Sequence, residues 1–370
     1  MNHKKQFFPA CCSSMTLTSD TGQHYWFRTC DVEDDLWNGG AHVVQKRAGA
    51  ILTYYNGRKE ICKYGFLGMT YNEWDSWMLD GVNEAGLCGG LLMLSEGTSV
   101  DKADKNRTGY MGMELVTKIL SFCKNVEEVI SLTEKIQILS IPQKETFVAA
   151  SMHYFFTDSQ GNEVVLEAVR EEQPGILQIH KKEEILGVMT NSPPYPLQKE
   201  NLAWFLSQSP EMRNGILGKP VKELYWDGRV IRADENAKHL SVNGTFPASY
   251  SSYDRFIRLA VLKALNNSGN NFSKEEMLAQ GSNIMWAVHE PCHQGIFHYS
   301  KVEKNGTVTG QKSSKTQYLI MYDLEEKSFF IKIFDMVSWI EFRMENNSKE
   351  LSQRYDIIRN SKEGILKGNF

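Results

Sequence analysis

The stretch CSSMTLTSDTGQHYWFRTCD, residues 12–31, carries the pattern that decides the fold. Residues 14–18 and 23–29 are predicted to form two β-strands. They flank Ser19-Asp20-Thr21-Gly22, a run of turn residues whose glycine tolerates a positive φ. The sequence therefore predicts an antiparallel hairpin, and two adjacent cysteines, at positions 11 and 12, stand directly before its first strand.

The whole chain has the composition of a globular protein with a large core. Of its 370 residues, 41% are hydrophobic and 23% are charged. No internal repeat, low-complexity tract or linker rich in proline, glycine and serine divides it, so we predict a single domain. The net charge of -4 is spread without long like-charge runs. This pattern excludes a typical nucleic-acid-binding or membrane-binding surface.

The cysteines and the N-terminus indicate a reducing compartment. The chain has seven cysteines, an odd number with no CxxC pair, which does not suit a disulfide framework. No stretch approaches the roughly 20 apolar residues of a membrane span. Residues 7–10 are far shorter than the apolar region of a secretory signal. The sequence therefore predicts a cytoplasmic protein.

Further strands and helices follow along the chain. A hairpin is predicted around Asn56-Gly57, from residues 48–55 and 60–67. Apolar spacing and turn residues predict more strands at residues 87–94, 151–157, 163–169, 176–180, 185–190, 318–322 and 329–334. Helices are predicted at residues 111–122, 126–136, 197–206 and 255–265, and from the capping box of Ser273 and Glu276 towards Val288. Meanders interrupted by helix pairs predict an α+β protein, largely antiparallel, with helices covering sheets.

One short segment matches a zinc-site pattern. His289-Glu290-Pro291-Cys292-His293 has the spacing HExxH, in which two histidines one helical turn apart bind zinc. The pattern requires a helix, and a proline inside it removes a backbone donor and clashes with the preceding turn. We therefore predict a loop or helix end here and no metal site.

Cys12 is the stronger candidate for chemistry. A free thiol has a pKa near about 8.5, so a catalytic cysteine needs a base and usually a nearby cation. If the chain is cut before Cys12, the new α-amino group has a pKa of about 7.7 to 8.0 and can accept the thiol proton. This explains a cysteine close to the N-terminus behind a short leader. We predict removal of residues 1–11, which leaves one domain over residues 12–370.

Five segments, in order along the chain, resemble a known family: CSSM (12–15), RTCD (28–31), DGVNEAGL (80–87), GVMTNSP (187–193) and RFIR (255–258). Together they are similar to the choloylglycine hydrolases, which comprise penicillin V acylases and conjugated bile salt hydrolases of the N-terminal nucleophile class. In that family the nucleophile precedes the motif arginine by sixteen positions. Cys12 stands sixteen positions before Arg28, whereas Cys11 stands seventeen before it, so the resemblance selects Cys12.

The resemblance implies a role for each matched residue. Cys12 supplies the thiolate and the amine, Arg28 favours the ionised sulfur, and Asp31 holds the α-amino group. Asn191 donates its side-chain N–H to the oxyanion, a type of contact worth about 10²- to 10³-fold in rate. Arg255 completes the polar network. The family also has an oxyanion or substrate contact at the position of Met93, through its backbone N–H. We predict an oxyanion or substrate contact for Asn83 of the DGVNEAGL segment as well.

The implied fold is a four-layer αββα sandwich of two antiparallel sheets flanked by helix pairs, the N-terminal nucleophile hydrolase fold. The implied reaction is hydrolysis of linear amide C–N bonds in a small N-acyl amide, with no cofactor and no metal. Family members commonly assemble as homotetramers, and this is the expected state. The resemblance also implies removal of the leader, with autoprocessing as the expectation and cleavage by a protease as the alternative.

The substrate is less constrained than the reaction. The CSS and RTxD patterns are closer to the penicillin V acylase branch, so phenoxyacetyl amides are the first expectation. Conjugated bile salts or other N-acyl amides are the alternative, because Met93 and residues 243–253 depart from the family pattern. Four aromatic residues are candidates for pocket walls, with ordinary core packing as the alternative: Tyr25, Trp26, Trp74 and Trp77.

Two alternative hypotheses assign the chain to other functional classes of protein. A catalytically silent binding relative would keep the fold without needing a processed N-terminus. A zinc hydrolase using His289 and His293 would lose activity to chelators and keep it after thiol alkylation.

Overall fold

The computed structural model of the chain describes residues 12–32, 36–37, 40–71, 76–140, 152–209, 222–226, 229–238, 246–266, 273–290, 299–302, 308–312, 315–334, 336–345, 349–357 and 365–368. The leader, residues 1–11, lies outside this set. Within it no helix is long and apolar enough to cross a membrane.

The strands of the described residues are, in chain order, β1 (Ser13–Thr18), β2 (His24–Val32), β3 (His42–Lys46), β4 (Ile51–Thr53), β5 (Lys59–Ile61), β6 (Phe66–Thr70), β7 (Met78–Asn83), β8 (Cys88–Met93), β9 (Thr108–Met111), β10 (Ile136–Leu139), β11 (Met152–Thr157), β12 (Glu163–Glu167), β13 (Gln178–Lys181), β14 (Val188–Met189), β15 (Glu223–Trp226), β16 (Arg229–Arg232), β17 (Tyr299–Val302), β18 (Val308–Lys312), β19 (Lys315–Asp323), β20 (Ser328–Ile333), β21 (Ile340–Arg343), β22 (Ser352–Ile357) and β23 (Ile365–Gly368). The α-helices are α1 (Leu115–Phe122), α2 (Val126–Thr133), α3 (Tyr195–Gln208), α4 (Ser252–Asn266) and α5 (Lys274–Trp286), and two 3₁₀ turns cover Gly112–Glu114 and Lys182–Glu184.

Two large antiparallel sheets organise these strands. One has six strands in the order β14-β1-β2-β19-β20-β21, and the other has nine in the order β13-β12-β11-β8-β7-β6-β3-β22-β23. The hairpin of β1 and β2 pairs Ser13 with Thr29 and Thr18 with His24, and Gly22 in its turn has a φ of 84°. The predicted hairpin is therefore confirmed, and β2 is a central strand because β19 pairs along its other edge.

The two sheets pack face to face, with helices outside. Arg28 of the six-stranded sheet reaches Asp80 of the nine-stranded sheet across the interface. On the outer face of the nine-stranded sheet, Asn83 bonds the carbonyl of Leu120 in α1. On the outer face of the six-stranded sheet, the Phe27 ring lies so close to Gly281 of α5 that a Cβ there would overlap it. The four-layer αββα sandwich is thus confirmed.

Three of the predicted elements are markedly shorter in the structure. The hairpin around Asn56-Gly57 is shorter than predicted, because β4 and β5 cover three residues each and β6 belongs to the nine-stranded sheet. Helix α2 ends at Thr133, and the predicted helical residues beyond it lead into β10, which pairs in parallel with β9. Of the predicted strand 185–190, only Val188–Met189 pairs, against β1. Long-range pairing decides these boundaries, and local spacing does not report it.

Candidate active site

The alternation of side chains along β2 divides the candidate residues between two faces of the sheet. Arg28 and Cys30 are two residues apart and point towards the nine-stranded sheet, where Arg28 meets Asp80. Thr29 and Asp31 point to the opposite side, where the Thr29 hydroxyl donates to the Asp31 carboxylate at 3.0 Å. Cys12 directly precedes the first residue of β1, at the N-terminal end that we call the head of this strand. There its atoms contact side chains from both faces of the six-stranded sheet.

The Cys12 sulfur is buried among hydrogen-bond donors. Arg28 Nη2 lies 3.3 Å from Cys12 Sγ, and the Cys12 side chain is 1% exposed. A hydrogen bond from the Cys30 thiol, the positive charge of Arg28 and a backbone N–H from Asp31 outweigh burial and lower the pKa of Cys12 to about 5. The site therefore favours the thiolate at neutral pH.

Arg28 is held by a buried carboxylate. Its Nη1 donates to Asp80 Oδ2 at 2.8 Å and to the carbonyl of Leu79 at 2.7 Å. Asp80 also accepts from the hydroxyls of Tyr318 at 2.6 Å and Tyr322 at 2.5 Å. Burial raises the pKa of Asp80, and Arg28 and the two hydroxyls oppose that rise. The carboxylate and the thiolate together place two counter-charges around one guanidinium.

Asn191 and Arg255 lie on the other side of Cys12. Asn191 Oδ1 accepts from the Cys12 nitrogen at 2.5 Å and from Arg255 Nη2 at 2.9 Å. Because guanidinium only donates, this contact fixes which end of the amide faces Cys12. The Asn191 Nδ2 group donates to the carbonyl of Met93 at 3.0 Å. Arg255 Nη1 donates to the Cys12 carbonyl at 2.7 Å and to Ser13 Oγ at 2.6 Å.

Asp31 lies next to this group without bonding the Cys12 nitrogen. Its carboxylate accepts from the hydroxyls of Thr29 and Thr316. Burial, followed by the charges of Glu290 and the Cys12 thiolate, raises the pKa of Asp31 well above its ordinary value. In the full-length chain the Cys12 nitrogen is a peptide N–H, and it donates to Asn191.

The structure does not bring Asn83 to this cluster. Its Nδ2 donates to the carbonyls of Leu120 at 2.9 Å and Cys123 at 2.7 Å, at the end of α1. Its Oδ1 accepts from the backbone N–H groups of Ala85 and Leu87, in the turn before β8. Asn83 therefore joins a turn to a helix end on the outer face of its sheet. Met93, at the end of β8, does reach the cluster through its carbonyl.

The candidate pocket aromatics pack in the core. Trp26 packs against Tyr322 in a tilted arrangement with ring centroids 5.8 Å apart, and Trp77 stacks on Tyr55 at 6.1 Å. Tyr25 is also buried, and its hydroxyl donates to Gln23 at the far end of β2. The core-packing interpretation holds for these three, and position 74 lies outside the described residues.

The zinc-pattern segment is described only as far as Glu290. The His289 ring lies between Trp286 and Phe334, with centroids 4.3 Å and 5.4 Å away, and burial lowers its pKa to about 4. Among the described residues no group of three or more His, Cys, Asp or Glu could hold a metal ion. Positions 291–293 lie outside that set.

Sequence reasoning gave no role to four residues of the cluster. Cys30 was detectable, because a residue two positions from Arg28 on a strand shares its face. Asp80, Tyr318 and Tyr322 had no local signal for a contact with Arg28, since they approach it across the two sheets.

The sandwich and the buried cysteine at the head of its first strand define a hydrolase with the N-terminal nucleophile fold. The sequence profile of the linear amide C-N hydrolases, choloylglycine hydrolase family, matches residues 12–353. The chain belongs to this family, and it is an enzyme that hydrolyses linear amide C–N bonds.

Relatives of known structure share the fold over almost the whole chain. The chain is 23% identical over 348 residues to the bile salt hydrolase/transferase of Clostridium perfringens (strain 13 / Type A), covering 90% of this chain and 93% of that protein. A crystal structure of a variant of the conjugated bile acid hydrolase from Clostridium perfringens aligns with a TM-score of 0.70 and 21% identity, over 94% of this chain and 98% of that one. The penicillin V acylase from Agrobacterium tumefaciens aligns with a TM-score of 0.67 and 18% identity, over 97% and 98%.

Proposed function

We propose that the protein hydrolyses N-acyl amides with Cys12 as an N-terminal nucleophile, after removal of residues 1–11. The observation that carries the proposal is the 3.3 Å contact between Arg28 and the Cys12 sulfur, in a buried cluster that lowers the pKa of this thiol. A low thiol pKa gives a nucleophile at neutral pH without a histidine partner.

The reaction divides into two acyl transfers. The Cys12 thiolate attacks the amide carbonyl carbon, and the proton that the thiol gave up is held by the Cys12 α-amino group and passes from it to the leaving amine. The C–N bond breaks and leaves a thioester. Water then attacks the thioester carbonyl, gives one proton to the Cys12 sulfur through the same amine, and releases the carboxylic acid.

The surrounding groups stabilise charge in each step. Asn191 Nδ2 is the first proposed donor to the oxyanion: one of its two hydrogens bonds the Met93 carbonyl, and the other is the proposed oxyanion contact. The Met93 backbone N–H is the second proposed donor. Arg255 donates to Asn191 Oδ1 and to the Cys12 carbonyl, and these contacts keep the side-chain amide of Asn191 oriented.

Asp31 is proposed to hold the α-amino group once the leader is gone. A new ammonium beside this buried carboxylate would add a positive charge to that of Arg255, and so would lower the raised pKa of Asp31. The two threonine hydroxyls already orient the carboxylate.

The proposed substrate is a phenoxyacetyl amide of the penicillin V type, and conjugated bile acids are the second choice. The CSS and RTxD patterns support the first choice, and relatives named for each activity share the fold. Met93 is half-buried and its backbone carbonyl accepts from Asn191, so Met93 is the candidate specificity residue. A cytoplasmic location, autoprocessing and a homotetramer remain predictions.

A paired assay tests the function. Protein shown by mass to start at Cys12 is offered penicillin V and a glycine-conjugated bile acid, and the released amine is quantified. We expect turnover of penicillin V, loss of most turnover in Cys12→Ser, and retention in the control Cys11→Ser. Hydrolysis of neither substrate would favour another N-acyl amide or the silent binding relative. Activity that survives thiol alkylation but not chelation would favour the zinc hydrolase.

A further inference from the structure

Two buried thiols meet at the head of β1. Arg28 Nη2 lies 3.3 Å from the Cys12 sulfur and 3.8 Å from the Cys30 sulfur, so one guanidinium nitrogen contacts both. Each cysteine is 1% exposed and neither is in a disulfide. The proposed reaction uses the first sulfur as its nucleophile, and the second donates a hydrogen bond to it without forming a bond to substrate.

The strand register places the two residues opposite each other. Ser13 pairs with Thr29 in the antiparallel hairpin, so one step further along β1 brings Cys12 opposite Cys30. Directly opposed residues in such a pair have Cα atoms about 4.5 to 5.5 Å apart, which is within the range of about 4.4 to 6.8 Å found in disulfides. Both side chains share the face that carries Arg28. A disulfide therefore requires no strand movement.

The two cysteines differ in protonation state, and disulfide formation by a peroxide uses one thiolate and one thiol. Cys12 is the thiolate, and the Cys30 thiol, whose pKa is raised well above its ordinary value by burial and by Cys12, is the hydrogen-bond donor. Thiolates react with peroxides, and a neighbouring thiol traps the product before further oxidation. The proposed hydrolysis requires an N-acyl amide to reach Cys12, and a hydroperoxide is smaller than that substrate.

We propose that Cys12 and Cys30 form a modification site at which a hydroperoxide closes a reversible disulfide and switches the enzyme off. In the first step the Cys12 sulfur attacks one peroxide oxygen, the O–O bond breaks, and a sulfenic acid and hydroxide form. In the second step the Cys30 sulfur attacks the Cys12 sulfur, the S–O bond breaks, and the thiol proton leaves with the oxygen as water. Two thiols and one hydrogen peroxide give one disulfide and two waters. The inactivation rests on the proposed function, but the disulfide does not.

Mass spectrometry tests the link independently of activity. Trypsin cuts after Arg28, so the two cysteines fall in separate peptides. In processed protein these are 12–28 and 29–46, each with one cysteine; in the full-length chain the first peptide is 6–28 and also contains Cys11, so the full-length protein is tested as its Cys11→Ser variant. Full-length or naturally processed protein is treated with hydrogen peroxide, its remaining thiols are alkylated, and it is digested without reductant. We expect these peptides to appear linked through a disulfide, and to separate after dithiothreitol. When the protein has turnover, the activity lost to peroxide should return fully.

Two variants separate the proposal from general oxidation. In Cys30→Ala or Cys30→Ser, peroxide should drive Cys12 to the sulfinic acid, and the lost activity, measured against each variant's own starting value, should not return. The control Cys62→Ala removes another buried cysteine and should keep the reversible link. A wild-type protein that gives a sulfinic acid at Cys12 without linked peptides would overturn the proposal, and so would a protein unchanged by peroxide. Linked peptides in a protein without amidase activity would overturn only the proposed function.

Discussion

At the scale of single residues, Arg28 connects the candidate nucleophile Cys12 to a buried carboxylate between the two sheets. Its guanidinium faces the Cys12 sulfur on one side and Asp80 on the other, and both partners are buried. A buried charge is tolerable only when it is paired and hydrogen-bonded. Asp80 therefore positions Arg28, and through Arg28 it acts on the thiolate.

The thiol pKa gives the first prediction. The thiolate reacts with iodoacetamide and the thiol does not, so alkylation of Cys12 should accelerate as pH rises through the pKa and level off above about pH 6. Mass-resolved alkylation of peptide 12–28 against pH measures the midpoint, which we expect near pH 5. Cys30→Ala removes the strongest stabilising hydrogen bond and should move the midpoint upwards. A wild-type midpoint near the ordinary thiol value of about 8.5 would contradict the site electrostatics.

The second prediction concerns Asn191. If its amide stabilises the oxyanion, Asn191→Ala should lower kcat by roughly 10²-fold with a small change in KM, because that contact strengthens as charge develops. Steady-state kinetics on penicillin V measures both constants. A change confined to KM would mean that the side chain only positions substrate.

The sequence predicted the parts of the site that belong to ordered motifs. Cys12, Arg28, Asn191 and Arg255 meet in the structure although they lie far apart in the chain. Asp80 stood within a quoted motif, yet its contact with Arg28 spans 52 positions. No local pattern reports a contact made across two packed sheets.

At the scale of elements, the best-predicted feature was a hairpin whose connecting turn contains a glycine. The β1-β2 hairpin appears where its Gly22 turn indicated, whereas β3 and β22 were missed. These two strands pair with each other although about 300 residues separate them. Their existence depends on the partner strand, which single-strand propensity does not describe.

Asn83 gives the third prediction, at this scale. It satisfies two carbonyls at the end of α1 and two N–H groups in the turn before β8. Asn83→Ala would leave buried groups unsatisfied at about 1 to 3 kcal/mol each, so we expect the free energy of unfolding to fall by about 3 kcal/mol. Urea unfolding measures it, with the exposed turn variant Asn56→Ala as the milder control. A large rise in KM without lost stability would instead support the substrate-contact interpretation.

At the scale of the whole molecule, the site is assembled from both sheets and one helix layer. Cys12 comes from the head of β1 and Asn191 from the segment after β14, both in the six-stranded sheet. Asp80 and Met93 come from β7 and β8 of the nine-stranded sheet, and Arg255 comes from α4. The hydrogen bonds between these layers form only when the sandwich is closed, so the nucleophile is activated by the completed fold.

The same assembly predicts when the enzyme becomes active. As long as residues 1–11 are attached, the Cys12 nitrogen is a peptide N–H that donates to Asn191 and has no basic lone pair with which to hold a proton and deliver it to the leaving amine. Cutting before Cys12 converts it into an amine next to the buried Asp31, and we expect intact-mass measurement of active protein to show loss of residues 1–11. The Cys12→Ala variant should retain residues 1–11 if the cut is autocatalytic. The Asp31→Asn variant should still lose them but should hydrolyse substrate more slowly. Full activity from a chain that still carries its first eleven residues would rule out the α-amino group as the base.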